Sequence, residues 1–145
     1  MVPGRGCQRR PDGDPVDVLI ANQRGIIPGA VVACRPVGVL IMQDEAGGDE
    51  KIIAVPVDKL HPFYTGVDTY EKLPIILRDQ IAHFFEHYKD LEKGKWVTIS
   101  HWVGPEEAAQ LIRDGIARVQ GVKVEPRGRT VKTRSKSPAR RAGDR

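Results

Sequence analysis

The chain has 145 residues and a net charge of +4, enough for one domain with a buried core. No apolar run approaches the roughly 20 residues needed to cross a bilayer, which excludes a membrane-spanning helix. Two cysteines, Cys7 and Cys34, make no disulfide framework, and the basic start Met1 to Pro11 lacks the apolar core of a secretory signal. The cytoplasm is therefore the expected compartment.

The charge is unevenly spread. Lys123 to Arg145 holds nine Lys/Arg against two Asp/Glu, a net of +7 that leaves −3 for Met1 to Val122. A mildly acidic body is followed by a basic tail.

In chain order, Met1 to Pro11 is rich in Gly, Arg and Pro and reads as unstructured. Val16 to Ile20 is a short β-prone stretch, and Pro28-Gly29 marks a turn. Ala30 to Met42, rich in Val, Ile and Leu, predicts one bent strand or two, with Pro36 and Gly38 as the break. Asp44 to Glu50 reads as an acidic loop, and Lys51 to Val57 as another strand. Helical patterning starts near Leu73, with Pro74 suited to the first turn; Leu77, Ile81, Phe84 or Phe85, and Tyr88 form one apolar face. Gly94 ends that segment, and Lys95 to Trp102 alternates as a strand. Pro105 opens a second helix, with Ala108, Leu111, Ile112, Ile116 and Val119 on its buried side and Gly121 closing it. Beyond Pro126 the Arg/Lys/Ser/Pro/Gly composition cannot bury a core, so a disordered basic tail is expected. Strands first and helices later argue for an α+β domain built on a small, largely antiparallel barrel or sheet.

The sharpest chemistry is Asp12-Gly13-Asp14-Pro15-Val16-Asp17, with three carboxylates at the mouth of a strand. A second acidic stretch follows, Asp44-Glu45-Ala46-Gly47-Gly48-Asp49-Glu50-Lys51. If the strands between them form a hairpin, five aspartates converge: Asp12, Asp14, Asp17, Asp44 and Asp49. Like charges so close repel and call for cations. Oxygen donors without His or Cys favour Mg²⁺, Mn²⁺ or Ca²⁺ over zinc, and such ions suit phosphoryl chemistry. Taken alone, Asp-Gly-Asp-Pro is also what a solvated acidic turn looks like. An EF-hand fits poorly, because the twelfth position from Asp12 is Gln23 rather than Glu.

These motifs resemble the soluble (family I) inorganic pyrophosphatases of bacterial type. The likeness runs through Asp12-Gly-Asp-Pro-Val-Asp17, Arg35-Pro-Val-Gly-Val-Leu40, Asp44 to Lys51, Val55-Pro56, His83-Phe-Phe-Glu-His-Tyr-Lys-Asp-Leu-Glu92 and Lys93-Gly-Lys-Trp96, in series to about Gly121. The resemblance implies Mg²⁺-dependent hydrolysis of inorganic diphosphate to two phosphates, with several ions per site and Mn²⁺ able to substitute. It implies Asp12, Asp17, Asp44 and Asp49 as metal ligands, and Asp14 as the base that takes the proton of the attacking water. Lys51, Tyr88 and Lys89 are implied at the substrate. The implied fold is an OB-like small β-barrel with flanking helices, assembled as a homo-oligomer, a hexamer in bacterial relatives.

The family's segment before the Asp-Gly-Asp-Pro-x-Asp loop has no counterpart that can be placed on Met1 to Pro11. The expected division is therefore an atypical start at 1–11, a partial pyrophosphatase-like domain at 12–122 and a basic tail at 123–145. The barrel is expected to be N-terminally incomplete and hydrolysis impaired. The alternative is a non-catalytic remnant or an interaction subunit.

Other motifs rank lower. His83-Phe-Phe-Glu-His87 fits the H-x-x-E-H pattern of some zinc peptidases, but no third ligand stands out, and the plain reading is a helix with surface or subunit-contact histidines. The tail could meet nucleic acid through phosphates, yet it has no aromatics for base stacking, so a nucleic-acid partner is not expected. Trp96 and Trp102 read as core or interface residues, and Phe63-Tyr64 as a loop anchor.

Overall fold

The computed structural model describes residues 15–121. The expectations for Met1 to Pro11, Asp12, Asp14 and the basic tail lie outside those residues. The described strands are β1 (Val18–Ile20), β2 (Cys34–Asp44), β3 (Gly47–Pro56) and β4 (Val97–Val103). The helices are α1 (Ile75–His87) and α2 (Pro105–Val119), with 3-10 turns at Pro62–Tyr64 and Tyr70–Lys72. The strands form one sheet in the order β1-β3-β2-β4. β1 runs parallel to β3, and the other pairings are antiparallel. Among the described residues no helix is long and apolar enough to cross a membrane.

The α+β class is as the sequence implied, but the barrel is an open sheet with β1 and β4 at its edges. Closure needs strand number, tilt and stagger to match, and a three-residue β1 beside β3 does not bring the edges together.

The β2–β3 hairpin positions the site. Asp44 pairs with Gly47, leaving Glu45 and Ala46 in the turn. Asp44 Oδ1 accepts hydrogen bonds from the backbone N–H groups of Ala46 (2.9 Å) and Gly47 (3.1 Å). Gly47 has φ +127°, a conformation that side chains other than hydrogen disfavour. Most of the expected acidic loop is therefore strand: Asp49 lies opposite Met42 and Glu50 opposite Ile41. Ladder pairing with an apolar partner strand overrides the low β-propensity of acidic residues.

Pro36 and Gly38 mark a bulge in one continuous strand rather than a break. Pro36 has no N–H for the ladder, and the extra residue turns Val37 to the side of Leu40 and Met42. A Cβ on Gly38 would come within 2.9 Å of both the Tyr70 side chain and the Val103 carbonyl. Tyr70 in turn stacks on Trp102, with ring centroids 5.3 Å apart.

Each face of the sheet takes one helix. Leu40, Met42, Ile53 and Val55 pack with Ile81 and Phe85 of α1. Val39 and Ile52 pack with Ala108 of α2, joined by Leu111 and Ile112. Phe85 is thus the buried member of the Phe84/Phe85 pair, and Phe84 is exposed. Pro74 is the N-cap of α1, extended at ψ 137°, and its carbonyl accepts the Arg78 N–H that closes the first turn (3.1 Å). In α2 the buried stripe continues to Gly115 and leaves Ile116 and Val119 exposed. Positions 108, 111, 112 and 115 follow the helical period, and Ile116 falls one step round it. Trp96 is exposed and lies outside β4, whereas Trp102 packs against the core. Tyr64 is the buried loop anchor and Phe63 is exposed.

Candidate active site

The site begins with the alternation of β3. Ile53 sits in the core under α1, and two and four residues earlier come Lys51 and Asp49, both buried. Asp17 stands just before β1, held to the sheet where the Ile52 N–H donates to its carbonyl (3.0 Å). Lys51 Nζ lies 2.5 Å from Asp17 Oδ2 and 2.9 Å from Asp49 Oδ2. Below it the Phe85 ring centroid is 5.9 Å away, within reach of a cation–π contact. Burial pulls the Lys51 ammonium towards deprotonation, but its hydrogen bonds to Asp17 and Asp49 outweigh that and hold its pKa above the ordinary lysine range.

A second charged set sits at the hairpin tip. Tyr88 ends α1 and delivers Lys89, whose Nζ is 2.7 Å from Asp44 Oδ2 and 3.7 Å from Glu45 Oε1. Both members of the Lys89–Asp44 pair are largely shielded, with side chains 14% and 11% exposed. The hydrogen bond from Lys89 draws the Asp44 carboxyl below its usual range against the opposing effect of burial, and the turn N–H groups of Ala46 and Gly47 add to this. The same bond raises Lys89 well above the ordinary lysine value.

Between α1 and β1 opens a cleft of about 440 Å³, lined by Asp17 and Lys51 on the charged side and by Phe84 and Tyr88 on the aromatic side. Six of the eight sequence-designated site residues are described. Asp17, Asp49 and Lys51 form one ion-paired set, Asp44 and Lys89 a second, and Tyr88 stands at the cleft. The described aspartates thus form two lysine-paired sets. Sequence reasoning missed the floor that Phe85 gives Lys51 and the contact of Glu45 with Lys89. The helical period alone left Phe84 and Phe85 undecided.

Asp17 and Asp49 already share one positive charge between hard oxygens, the donor chemistry that suits Mg²⁺ or Mn²⁺. Among the described residues no three acidic, histidine or cysteine side chains gather into a metal-holding set. Asp12 and Asp14 lie outside the described residues.

The family model for inorganic pyrophosphatase matches residues 2–120. An inorganic pyrophosphatase of Caulobacter vibrioides is 61% identical over 107 residues, covering 74% of this chain and 60% of that protein. One from Bradyrhizobium diazoefficiens is 66% identical over 107 residues, with the same coverage of 74% and 60%. The solved inorganic pyrophosphatase of Helicobacter pylori superposes with a TM-score of 0.75 at 43% identity, over 79% of this chain and 67% of that one. The Anaplasma phagocytophilum structure, described as an inorganic phosphatase, gives 0.74 at 44% identity, over 78% and 66%. The α+β fold is that of the solved inorganic pyrophosphatases on which it superposes. The chain belongs to the inorganic pyrophosphatase family. It spans about three fifths of the length of the curated relatives it matches.

Proposed function

We propose that this chain hydrolyses inorganic diphosphate to two phosphates with Mg²⁺, Mn²⁺ being able to substitute, at the cleft under α1. The observation that carries the reading is Lys51 held between Asp17 and Asp49 at the cleft wall, within a family whose members are inorganic pyrophosphatases. Asp12, Asp17, Asp44 and Asp49 would hold the ions. When bound, Mg²⁺ neutralises phosphate oxygens and lowers the pKa of an attacking water.

The chain's own groups do the rest. Asp14 takes the proton of the water as its oxygen bonds to phosphorus, and the bridging P–O bond breaks to release the second phosphate. Lys51 and Lys89 stay charged, because their carboxylate hydrogen bonds raise their pKa values, and can present ammonium groups to phosphate oxygens. The Tyr88 hydroxyl donates to the same substrate. Preorganised charge of this kind is the main source of phosphoryl-transfer rate. Assembly as a homo-oligomer, a hexamer as in bacterial relatives, belongs to the same proposal.

A phosphate-release assay with Mg²⁺ tests it. Hydrolysis should depend on Mg²⁺, and Asp14→Asn should lower it by about 10²–10⁴, the usual contribution of a general base. Hydrolysis indifferent to a chelator, or undiminished by Asp14→Asn, would contradict it.

A further inference from the structure

Phe85 faces both charged sets of the site. It precedes Tyr88 by one helical turn and shares its side of α1. Its ring meets the Tyr88 ring edge to face, with centroids 5.8 Å apart and planes at 87°. Lys51 Nζ stands over the same Phe85 ring, 5.9 Å from its centroid. Lys89 Nζ in turn is 5.6 Å from the Tyr88 centroid. One aromatic pair therefore joins Lys51, held by Asp17 and Asp49, to Lys89, held by Asp44. Phe84 also stacks on Tyr88, but it is 57% exposed, whereas Phe85 is 8% exposed and lies in the core under the sheet. Of the two rings, only Phe85 is fixed from beneath.

We infer that Phe85 is a positioning residue whose ring sets where the Lys51 ammonium and the Tyr88 hydroxyl stand at the cleft, an inference that rests on the diphosphate reading above. Lysine carries its charge and three donors on a flexible four-carbon stem. Asp17 and Asp49 engage the ammonium, yet two carboxylates alone leave the stem several ways to reach them. The π face below attracts the cation without taking up a full N–H bond. It fixes the ammonium on that side and leaves donor capacity for a phosphate oxygen. The edge-to-face contact fixes the plane of the Tyr88 ring, and with it the hydroxyl. A leucine at this position would fill the core but offer neither a π face nor a ring edge.

The test replaces Phe85 in the full chain with mono-, di- and trifluorinated phenylalanine, which keep the ring and its bulk but weaken its negative face. With Mg²⁺, kcat for phosphate release should fall stepwise along the series, by about two- to fivefold in all, the scale of a cation–π contact, with KM little changed. Phe85→Leu should lower kcat by about 10- to 10²-fold, the scale on which a displaced group acts. A residue that only fills the core would shift the thermal midpoint and leave kcat flat along the fluorinated series, and a flat kcat overturns the inference. A second readout needs no turnover: the Lys51 ammonium, followed by heteronuclear NMR, should exchange its protons with water faster as fluorines are added. A wild type that releases no phosphate would defeat the proposed function alone. The ammonium exchange then decides the positioning, and exchange unchanged along the series overturns it.

Discussion

The two faces of the sheet are made by alternate residues of the same strands and differ in kind. Towards α1, β3 presents Asp49 and Lys51 before Ile53; towards α2 it presents Ile52, which packs with Val39 and Ala108. The α2 side is an apolar seam, whereas the α1 side passes from core to ion pairs within one strand. Burying Lys51 is tolerable because Asp17 and Asp49 neutralise it. A strand's two-residue period thus lets one face hold the fold while the other grades into a site.

The sharpest way to break this contrast is to remove charge from one face and volume from the other. Lys89→Met should lower phosphate release by about 10²–10³, the loss typical of one preorganised donor, with the fold retained. Ile112→Val, on the α2 seam, should leave the rate unchanged. Ile52→Ala and Ile53→Ala, adjacent residues buried on opposite faces, should each cost about 2–5 kcal/mol in denaturant unfolding. Only Ile53→Ala should also slow hydrolysis in the protein that remains folded, because Ile53 shares its face with Lys51. Gly38→Ala forces a Cβ against Tyr70 and the Val103 carbonyl and should cost about 1–3 kcal/mol, as overpacking does.

The smallest expected effect is a pH dependence at the hairpin tip. Asp44 has a folded pKa below its unfolded value, so its stabilisation is present above the unfolded pKa of about 3.9 and is lost as pH falls through the folded value. Lys89, raised on folding, contributes below its unfolded pKa of about 10.4, and that contribution is lost as pH rises through the folded value. The thermal midpoint of Asp44→Asn should therefore lie below wild type at neutral pH, and the gap should close on acidification. A gap that persists in acid would show that the turn hydrogen bonds of Asp44, not its charge, hold the hairpin.

Much of this was legible in sequence where period and chemistry agree. The strands on either side of the acidic stretch, the irregularity at Pro36 and Gly38 and both helices follow from residue order, whereas the hairpin expected from the strands between the two acidic loops does not form, because β1 pairs with β3. What was not legible depended on partners far along the chain. Asp49 and Glu50 read as loop until their pairing with Met42 and Ile41 is known. The open sheet depends on which strands neighbour β1, and Gly115 rather than Ile116 lies on the buried stripe because α2 meets the sheet at Ala108. The five-aspartate reading did not include the lysines that pair with its described members, Lys51 between Asp17 and Asp49 and Lys89 on Asp44.

Amide hydrogen exchange with Mg²⁺ and the non-hydrolysable analogue imidodiphosphate tests the central claim, that the α1 face is the diphosphate site. Protection should appear in 17–19, in 44–51 and at the end of α1 through Lys89, and α2 (Pro105–Val119) should exchange as it does in the free protein. Protection centred on α2, or none at the end of α1, would contradict the account.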